Sequence, residues 1–152
     1  MTTIDGFEDA LREELLDAAE DAVAEHRDDL AQESGDRFDA YANRHGYDIG
    51  FIADGIETSR VERRGNRVSA TVSWPEYTSL YEYGVSPFTL QASGDQLAFL
   101  WRSPPEGTRP PGAPSFVQAE SVNWGSVTGG IPEARAIRTA LQVVGRAMRG
   151  EG

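Results

Sequence analysis

The sequence contains no lysine and no cysteine, and it has only two histidines in 152 residues. Without lysine there is no phosphate-loop lysine and no Schiff-base lysine, and without cysteine there is no disulfide, thiolate nucleophile or zinc–thiolate site. His26 and His45 lack a second histidine at the spacing that metal ligands usually show. These absences predict a protein that is not an enzyme and that holds no metal or cofactor.

The charges are also unbalanced. All 14 basic residues are arginine, whereas 25 residues are Asp or Glu, so the net charge is -11. An acidic excess with arginine in place of lysine is typical of proteins adapted to multimolar salt, where a Debye length of about 3 Å at 1 M screens self-repulsion. We therefore expect a halophilic protein that loosens at low salt. The negative charge also disfavours nucleic-acid binding as the main task.

The length and the hydropathy predict one domain over residues 1–152. No run approaches the ~20 apolar residues of a membrane-spanning helix, and the mean hydropathy is -0.48. The first residues lack a basic start followed by an apolar stretch, so no secretory signal is expected. We expect a protein that does not enter a membrane and is made in a cytoplasm.

Helical periodicity begins near the N-terminus. Phe7, Leu11 and Leu15 repeat at helical spacing and predict an acidic helix over 1–34 with this stripe buried. Between Asp5 and Asp36 there are 13 acidic residues and only two basic ones. A solvated outer face is the simpler interpretation of such a run, and a binding surface is the alternative. Glycines after residue 34 predict a loop up to residue 55, with one short helix.

Alternating residues then predict an α+β fold with one antiparallel sheet of about four strands over 56–122. Strands at 58–63 and 67–74 flank turn residues and indicate a hairpin, and further strands are predicted at 96–102 and 116–122. The proline-rich segment 103–115 cannot pair inside a sheet. Pro132 and Glu133 begin a C-terminal helix predicted over 132–150, and both long helices are expected to pack on the sheet.

Arginines form two clusters in this acidic chain. One surrounds the hairpin and the other forms a stripe on the last helix, and either could contact phosphates or an acidic partner. The simpler alternative is pairing with the carboxylates of the first helix, and pairing with protein is favoured over pairing with DNA. The hairpin cluster comprises Arg60, Arg63, Arg64 and Arg67, and the helix stripe comprises Arg135, Arg138, Arg146 and Arg149.

Residues Tyr77–Val85 carry a resemblance to a known family. A tyrosine, a spacer and Glu-aromatic-Gly, here Tyr77, Glu82, Tyr83 and Gly84, follow the predicted hairpin. This order resembles the signature of tail-completion, or neck, proteins of long-tailed double-stranded DNA viruses, although Val85 stands where the family usually has threonine. Without the resemblance, the aromatic residues indicate a strand packed on a helix and ended by a turn at Gly84.

The resemblance, with the composition, implies a structural virion protein of a tailed virus that infects a halophilic archaeon. Such a subunit would form a homo-oligomeric ring, hexamer-sized or larger, at the head–tail joint. Its partners would be a portal-side connector or adaptor, a tail terminator or tail tube protein, and DNA passing through the channel without sequence-specific binding. The arginine stripe would contact the next subunit, with the apolar residues Trp101, Phe88 and Phe116, and the hairpin arginines would face the lumen or a partner.

Two other functions remain open. An acidic regulatory or DNA-mimic protein would use the negative helix to occupy a basic host protein, and it would not self-assemble. A small hydrolase with catalytic carboxylates is the weakest hypothesis, because no spacing distinguishes any acidic pair. The glycine-rich stretch 125–130 lacks the residues with which a phosphate loop binds phosphate and metal.

Overall fold

A computed structural model describes residues 4–94, 96–101, 115–125 and 128–150, and its helices are separated by two blocks of four short strands. The chain divides into two compact units. Unit 1 comprises Met1–Tyr83 and Glu133–Gly152, and unit 2 comprises Gly84–Pro132. The side chains of a few described residues at the ends, 4–5, 99–101 and 115–117, lie outside the description.

The first helix, α1, runs without interruption from Ile4 to His45. The predicted end near residue 34 and the loop that follows are therefore wrong for residues 35–45. Gly35 is buried inside the helix, where an added Cβ would lie 3.4 Å from Ile56 Cδ1. It is a packing glycine rather than a helix end. The helix ends at Gly46, with φ of 68°, where the Tyr47 N–H donates to the Ala42 carbonyl at 2.9 Å as in a Schellman motif.

The core of unit 1 lies against the C-terminal half of α1. The second helix, α2 (Gly50–Asp54), is the short helix predicted in this region, and α4 (Ala136–Met148) confirms the C-terminal helix with shorter bounds. Ala136, Ala140 and Val144 are buried at intervals of four residues, as expected for one face of a helix. The buried residues of the core cluster are Phe38, Tyr41, Ala42, Ile49, Ile52 and Ala136.

The predicted hairpin is confirmed in unit 1. Its strands are β1 (Glu57–Thr58), β2 (Glu62–Arg64), β3 (Arg67–Ser69) and β4 (Val72–Ser73). β1 pairs with β4 and β2 pairs with β3, all antiparallel. Arg64 lies opposite Arg67, so the turn has two residues, and Gly65 takes the φ of 59° that its first position requires in a type II′ turn.

The segment Thr78–Tyr83 forms a short helix, α3, so the strand predicted for the aromatic-rich stretch is wrong. Alternating aromatic residues imitate the period of a strand, but local hydrogen bonds begin a helical turn at Pro75. The Thr78 hydroxyl donates to the Pro75 carbonyl at 2.7 Å, and the Leu80 N–H donates to the Tyr77 carbonyl at 3.1 Å. Thr78 is buried, which holds this turn in place.

Unit 2 is built from paired strands. Its strands are β5 (Phe88–Gln91), β6 (Leu97–Trp101), β7 (Ser115–Ala119) and β8 (Ser121–Trp124). β6 pairs with β7, β5 pairs with β8, and a bridge joins Val85 to Ile131. The predicted proline-rich loop 103–115 lies outside the described residues, apart from Ser115 in β7.

The single four-stranded sheet predicted over 56–122 is not what the described strands form. Each strand pairs with one partner, giving four two-stranded antiparallel sheets. Alternation in a sequence identifies a strand but not its neighbour. Here β2–β3 and β6–β7 are inner pairs, and β1–β4 and β5–β8 are the outer pairs that enclose them in sequence. The fold therefore mixes helices with small antiparallel sheets, which fits α+β only loosely. No helix in the described part of the chain is long and apolar enough to cross a membrane.

Candidate functional site

The glutamate of the neck-like motif is buried beneath the start of α4. The side chain of Glu82 is only 3% exposed. Its Oε2 accepts the Ile137 N–H at 2.9 Å, and its Oε1 accepts the Arg138 N–H at 2.9 Å. A helix leaves its first N–H groups without intrahelical partners, and a carboxylate is favoured there by the helix dipole. Glu82 therefore caps α4 from a distant part of the sequence.

Arg138 completes this contact. Its Nε donates to Glu82 Oε1 at 3.0 Å, and its Nη2 donates to the Glu82 carbonyl at 2.6 Å and to Glu133 Oε2 at 3.1 Å. Its guanidinium lies 4.7 Å from the centre of the Tyr83 ring. The hydrogen bond to Glu82 is the main cause that raises the pKa of Arg138 above its ordinary value. One member of the predicted arginine stripe is therefore used inside the subunit.

The other arginines of that stripe lie on an exposed surface. Arg135 precedes α4 in a left-handed conformation, with φ of 53°, and its guanidinium lies 3.6 Å from Glu133. Arg146 and Arg149 are exposed in the last turns of the chain's final helical segment. Within α4 itself no acidic residue occurs. This end of α4 thus presents positive charge, and its contact with another subunit stays a prediction.

Arg63 joins the hairpin to α1. It donates to Glu20 Oε1 at 2.9 Å, Glu13 Oε2 at 2.9 Å and Asp17 Oδ1 at 2.6 Å. These carboxylates lie at successive turns of one helix face, and the hydrogen bond to Asp17 is the largest cause of the raised pKa of Arg63. Internal pairing, the simpler interpretation of the arginine clusters, is what the structure shows for Arg63.

For the other three hairpin arginines, the described residues show no ion pair with α1. Arg60, Arg64 and Arg67 are exposed, and the nearest carboxylate described for Arg64 is Glu62 at 3.9 Å. Arg64 and Arg67 face each other across the turn. The tip of the hairpin therefore carries a net positive charge, and a role for it at a lumen or with a partner stays a prediction.

Apolar residues are exposed on both long helices. Phe7, Leu11 and Leu15 repeat every four residues on α1 and are 65%, 45% and 62% exposed, so the prediction that this stripe is buried is wrong. A groove of about 400 Å³ runs along it. On α4, Leu141 and Met148 lie two turns apart and are 51% and 59% exposed. Sequence periodicity finds both stripes but does not show that they face solvent.

Unit 2 also exposes apolar side chains. Phe88 stacks on Trp124, with ring centres 5.1 Å apart, and the two residues are cross-strand partners. Leu90 pairs with Val122 on the same face, because alternate residues of a strand share a face. Phe88 and Leu90 are both exposed. Trp101 and Phe116, which are also predicted to contact a neighbour, have side chains outside the described part of the structure.

A further groove, which sequence reasoning missed, lies between α3 and α4. Its volume is about 390 Å³, and Trp74, Pro75, Tyr77 and Tyr83 form most of its aromatic and proline lining. The available signal was the density of aromatic residues after the hairpin. Only the fold, however, brings them against Leu141 of α4.

The two histidines have different surroundings in the described residues. His45 packs beside the rings of Tyr41 and Tyr47, at 4.7 Å and 5.6 Å between ring centres, and the two tyrosine rings are themselves 5.6 Å apart. His26 Nδ1 is buried without a hydrogen-bond partner, 3.9 Å from Asp29 Oδ2. Within the described ranges no three His, Asp or Glu side chains converge as metal ligands.

No protein-family model, curated protein or solved structure matches the chain. The resemblance to neck proteins therefore rests on the residues Tyr77, Glu82, Tyr83 and Gly84 and on the order of the predicted elements. Two of these residues now have a structural explanation, since Glu82 caps α4 and Gly84 has a φ of 72°, which favours glycine.

Proposed function

We propose that this protein is a structural subunit of a salt-adapted particle. It would assemble as a homo-oligomeric ring at the head–tail joint of a virus that infects a halophilic archaeon. The observation that carries the assembly part is the presence, on one subunit, of exposed apolar side chains on two helices, of which α1 carries mostly acidic residues and α4 carries only arginine as charged residue. The placement at the head–tail joint rests on the neck-like motif.

The two faces are complementary in their exposed apolar surface and in the charge of their helices. The stripe of Phe7, Leu11 and Leu15 lies on α1, where acidic residues greatly outnumber basic ones. The exposed Leu141 and Met148 lie on α4, whose charged residues are all arginine. Cyclic rings need heterologous interfaces, in which one patch meets a different patch on the next copy. Packing α1 of one copy against α4 of the next would bury apolar surface and pair the charges.

High salt determines how such an interface would work. Exposed ion pairs are largely screened at multimolar salt, whereas burial of apolar surface is not weakened in this way. The apolar stripes would therefore supply most of the affinity, and the charges would determine which faces meet. In a neck, the outer contacts would go to a portal-side connector or adaptor and to a tail terminator or tail tube protein.

A mass measurement tests the proposal directly. Light scattering in multimolar KCl should give a mass that is a multiple of 16.6 kDa, hexamer-sized or larger, and stepwise dilution of the salt should dissociate or unfold the ring. Leu15→Glu places a charge in the α1 stripe and should lower the mass. Ala10→Glu, at an exposed position of the same helix outside the stripe, is the matched control and should not.

A monomer at every salt and protein concentration would contradict self-assembly. It would instead favour the second candidate, an acidic regulator or DNA mimic, for which the long negative surface of α1 is the supporting observation. That function requires a tight complex with a basic host DNA-binding protein. Adding such a protein to the monomer and measuring the mass again distinguishes the two.

A further inference from the structure

The groove between α3 and α4 has the lining of a peptide-binding site. Four of its residues, Trp74, Pro75, Tyr77 and Tyr83, present ring surfaces, and Leu141 adds an exposed aliphatic surface. Tyr77 and Tyr83 are 63% and 65% exposed. Large exposed aromatic side chains that lie close together are characteristic of interaction sites rather than of ordinary protein surface.

Two rings of this groove, those of Trp74 and Tyr83, are held in place. The Trp74 indole N–H donates to the Ser34 hydroxyl at 3.1 Å, and Ser34 is completely buried. The Tyr83 ring lies against the Arg138 guanidinium, which Glu82 anchors. Fixed aromatic surfaces lose little conformational entropy when a ligand binds, which favours affinity.

Tyr77 adds a second sign of function. Its φ is 69°, a left-handed conformation that costs a bulky residue roughly 1–3 kcal/mol. Burial of the side chain does not offset this strain, because the Tyr77 ring is largely exposed. A glycine would fit this backbone without strain, so the ring itself is what the position provides.

Grooves lined by aromatic rings and proline are suited to proline-rich segments. Such segments bind as polyproline II helices, which are already extended and so lose little entropy on binding. The charge at this groove specifies the ligand further. Glu76 lines it as an exposed carboxylate, and no ion pair is described for it among the residues that the structure covers. Arg138 also lines the groove, but its guanidinium is paired with Glu82 and Glu133. A proline-rich segment with flanking basic residues is therefore the expected ligand.

The chain itself contains such a segment. Residues 102–114 include five prolines, two arginines and one glutamate, whereas the rest of the chain has 12 arginines and 24 acidic residues. Pro111 and Pro114 are three residues apart, which is one turn of a polyproline II helix, so both would face one side. The segment joins Trp101 to Ser115, which are paired at the end of β6 and β7.

We propose that the groove of one copy binds the proline-rich segment 102–114 of a second copy. This inference rests on the self-assembly in the proposed function, but not on the placement at the head–tail joint. It adds a second contact, which shares Leu141 with the contact between α1 and α4. The prolines of the segment match the aromatic lining, and its two arginines are opposite in charge to Glu76.

A synthetic peptide of residues 102–114 provides the first test. The acceptor is the full chain with all five prolines of this segment replaced by serine, so that its own segment does not compete. Calorimetry in multimolar KCl should show saturable binding of the peptide, and a peptide with the same charges but serine for proline should bind at least tenfold more weakly. Absence of saturable binding would overturn the proposal.

Substitutions in the acceptor show whether the groove is the site. Tyr77→Gly removes the ring and relieves the backbone strain, so it should fold at least as well and bind the peptide at least tenfold more weakly. Phe51→Ala, which removes a ring that is 46% exposed on α2, is the matched control. Leu15→Glu should leave peptide binding unchanged. Loss of the subunit ring and loss of peptide binding are thus distinguishable results.

A mixing experiment tests whether the contact is between copies. The Tyr77→Gly chain offers an intact segment, and the five-proline variant offers an intact groove. Both variants also carry Leu15→Glu, so that the contact between α1 and α4 does not hold the copies together. Each alone should give a smaller mass by light scattering than the chain with Leu15→Glu alone, and their mixture should form a complex. If the peptide binds but the five-proline variant keeps the mass of the Leu15→Glu chain, the segment does not join copies and the proposal is wrong.

Discussion

Glu82 and Arg138 are joined by both backbone and side chain, because Glu82 Oε1 accepts the Arg138 N–H at 2.9 Å and the Arg138 Nε–H at 3.0 Å. Arg135, the residue that precedes α4, makes no side-chain capping bond. The carboxylate of α3 therefore does for α4 what a capping Ser or Asp usually does within its own helix. The short motif helix and the C-terminal helix are consequently stabilised together.

Replacing Glu82 should destabilise the fold strongly. Glu82→Ala leaves the Ile137 and Arg138 N–H groups without their acceptor in a buried position, and we expect a loss of about 3 kcal/mol in the free energy of unfolding. Glu82→Gln keeps one acceptor oxygen and should lose less. Chemical denaturation in multimolar KCl measures both.

The matched control for Glu82 is Glu133→Gln. Glu133 also accepts a hydrogen bond from Arg138, but its side chain is 47% exposed. Exposed ion pairs contribute at most about 1 kcal/mol, and salt screens them further. If both glutamates have equal effects at high salt, the capping role of Glu82 is wrong.

Arg63→Ala should loosen the hairpin from α1. Arg63 donates hydrogen bonds to three carboxylates. Those of Glu13 and Asp17 are 67% and 72% exposed, so dissolved salt should screen these ion pairs. We expect faster amide exchange in β2 and β3 at moderate salt, with the difference from the wild type shrinking in multimolar KCl.

Arg64→Ala is the comparison for Arg63. It removes a neighbouring arginine that is 86% exposed and that lies 3.9 Å from Glu62. Exchange in the hairpin should then match the wild type at each salt concentration. Equal acceleration by both substitutions would mean that net charge, and not the contacts of Arg63, holds the hairpin.

Several elements of this fold could be predicted from local pattern alone. The two long helices follow from apolar spacing, and the hairpin follows from alternating residues around Gly65. The helix end was misplaced because Gly35 resembles a helix breaker, whereas its lack of a side chain allows Ala53 and Ile56 to approach. The strand predicted at Tyr77 is wrong because the hydrogen bond from Thr78 to the Pro75 carbonyl starts a helical turn. Alternating aromatic residues do not reveal such a turn.

The candidate surfaces depend more heavily on tertiary structure. The stripe of Phe7, Leu11 and Leu15 was visible in the sequence, but amphipathic spacing is the same for a buried face and for an exposed binding face. The resemblance singles out Glu82, but the sequence does not reveal that Glu82 caps α4. The two N–H groups that donate to its carboxylate lie 55 and 56 positions away in sequence. The aromatic groove was missed for the same reason.

Alkaline pH should unfold the protein through Tyr41. Burial, followed by the neighbouring Tyr47 and Tyr81, raises the pKa of Tyr41 from 10.0 to about 12. A raised pKa means that the folded state favours the protonated phenol. This contribution is complete below pH 10 and is lost as pH rises from 10 to about 12.

Unfolding curves across that range measure the Tyr41 effect. The wild type should lose stability steeply between pH 10 and about 12, and Tyr41→Phe should show a shallower loss over the same interval. The ionisation can be followed independently by tyrosinate absorbance. A variant that keeps the wild-type slope would show that another group controls the alkaline transition.

Gly130 and Gly129 offer a test of why the segment before α4 is rich in glycine. Both have positive φ, 88° and 80°, so alanine is strained at either position. A Cβ at Gly129 would meet nothing within 4 Å, whereas a Cβ at Gly130 would collide with the Val85 carbonyl oxygen, which accepts the Ile131 N–H at 2.8 Å. Gly129→Ala should therefore cost about 1 kcal/mol from backbone strain alone. Gly130→Ala should cost more and should also increase amide exchange at Val85 and Ile131. Equal effects of the two substitutions would show that positive φ, and not the close approach to Val85, requires glycine here.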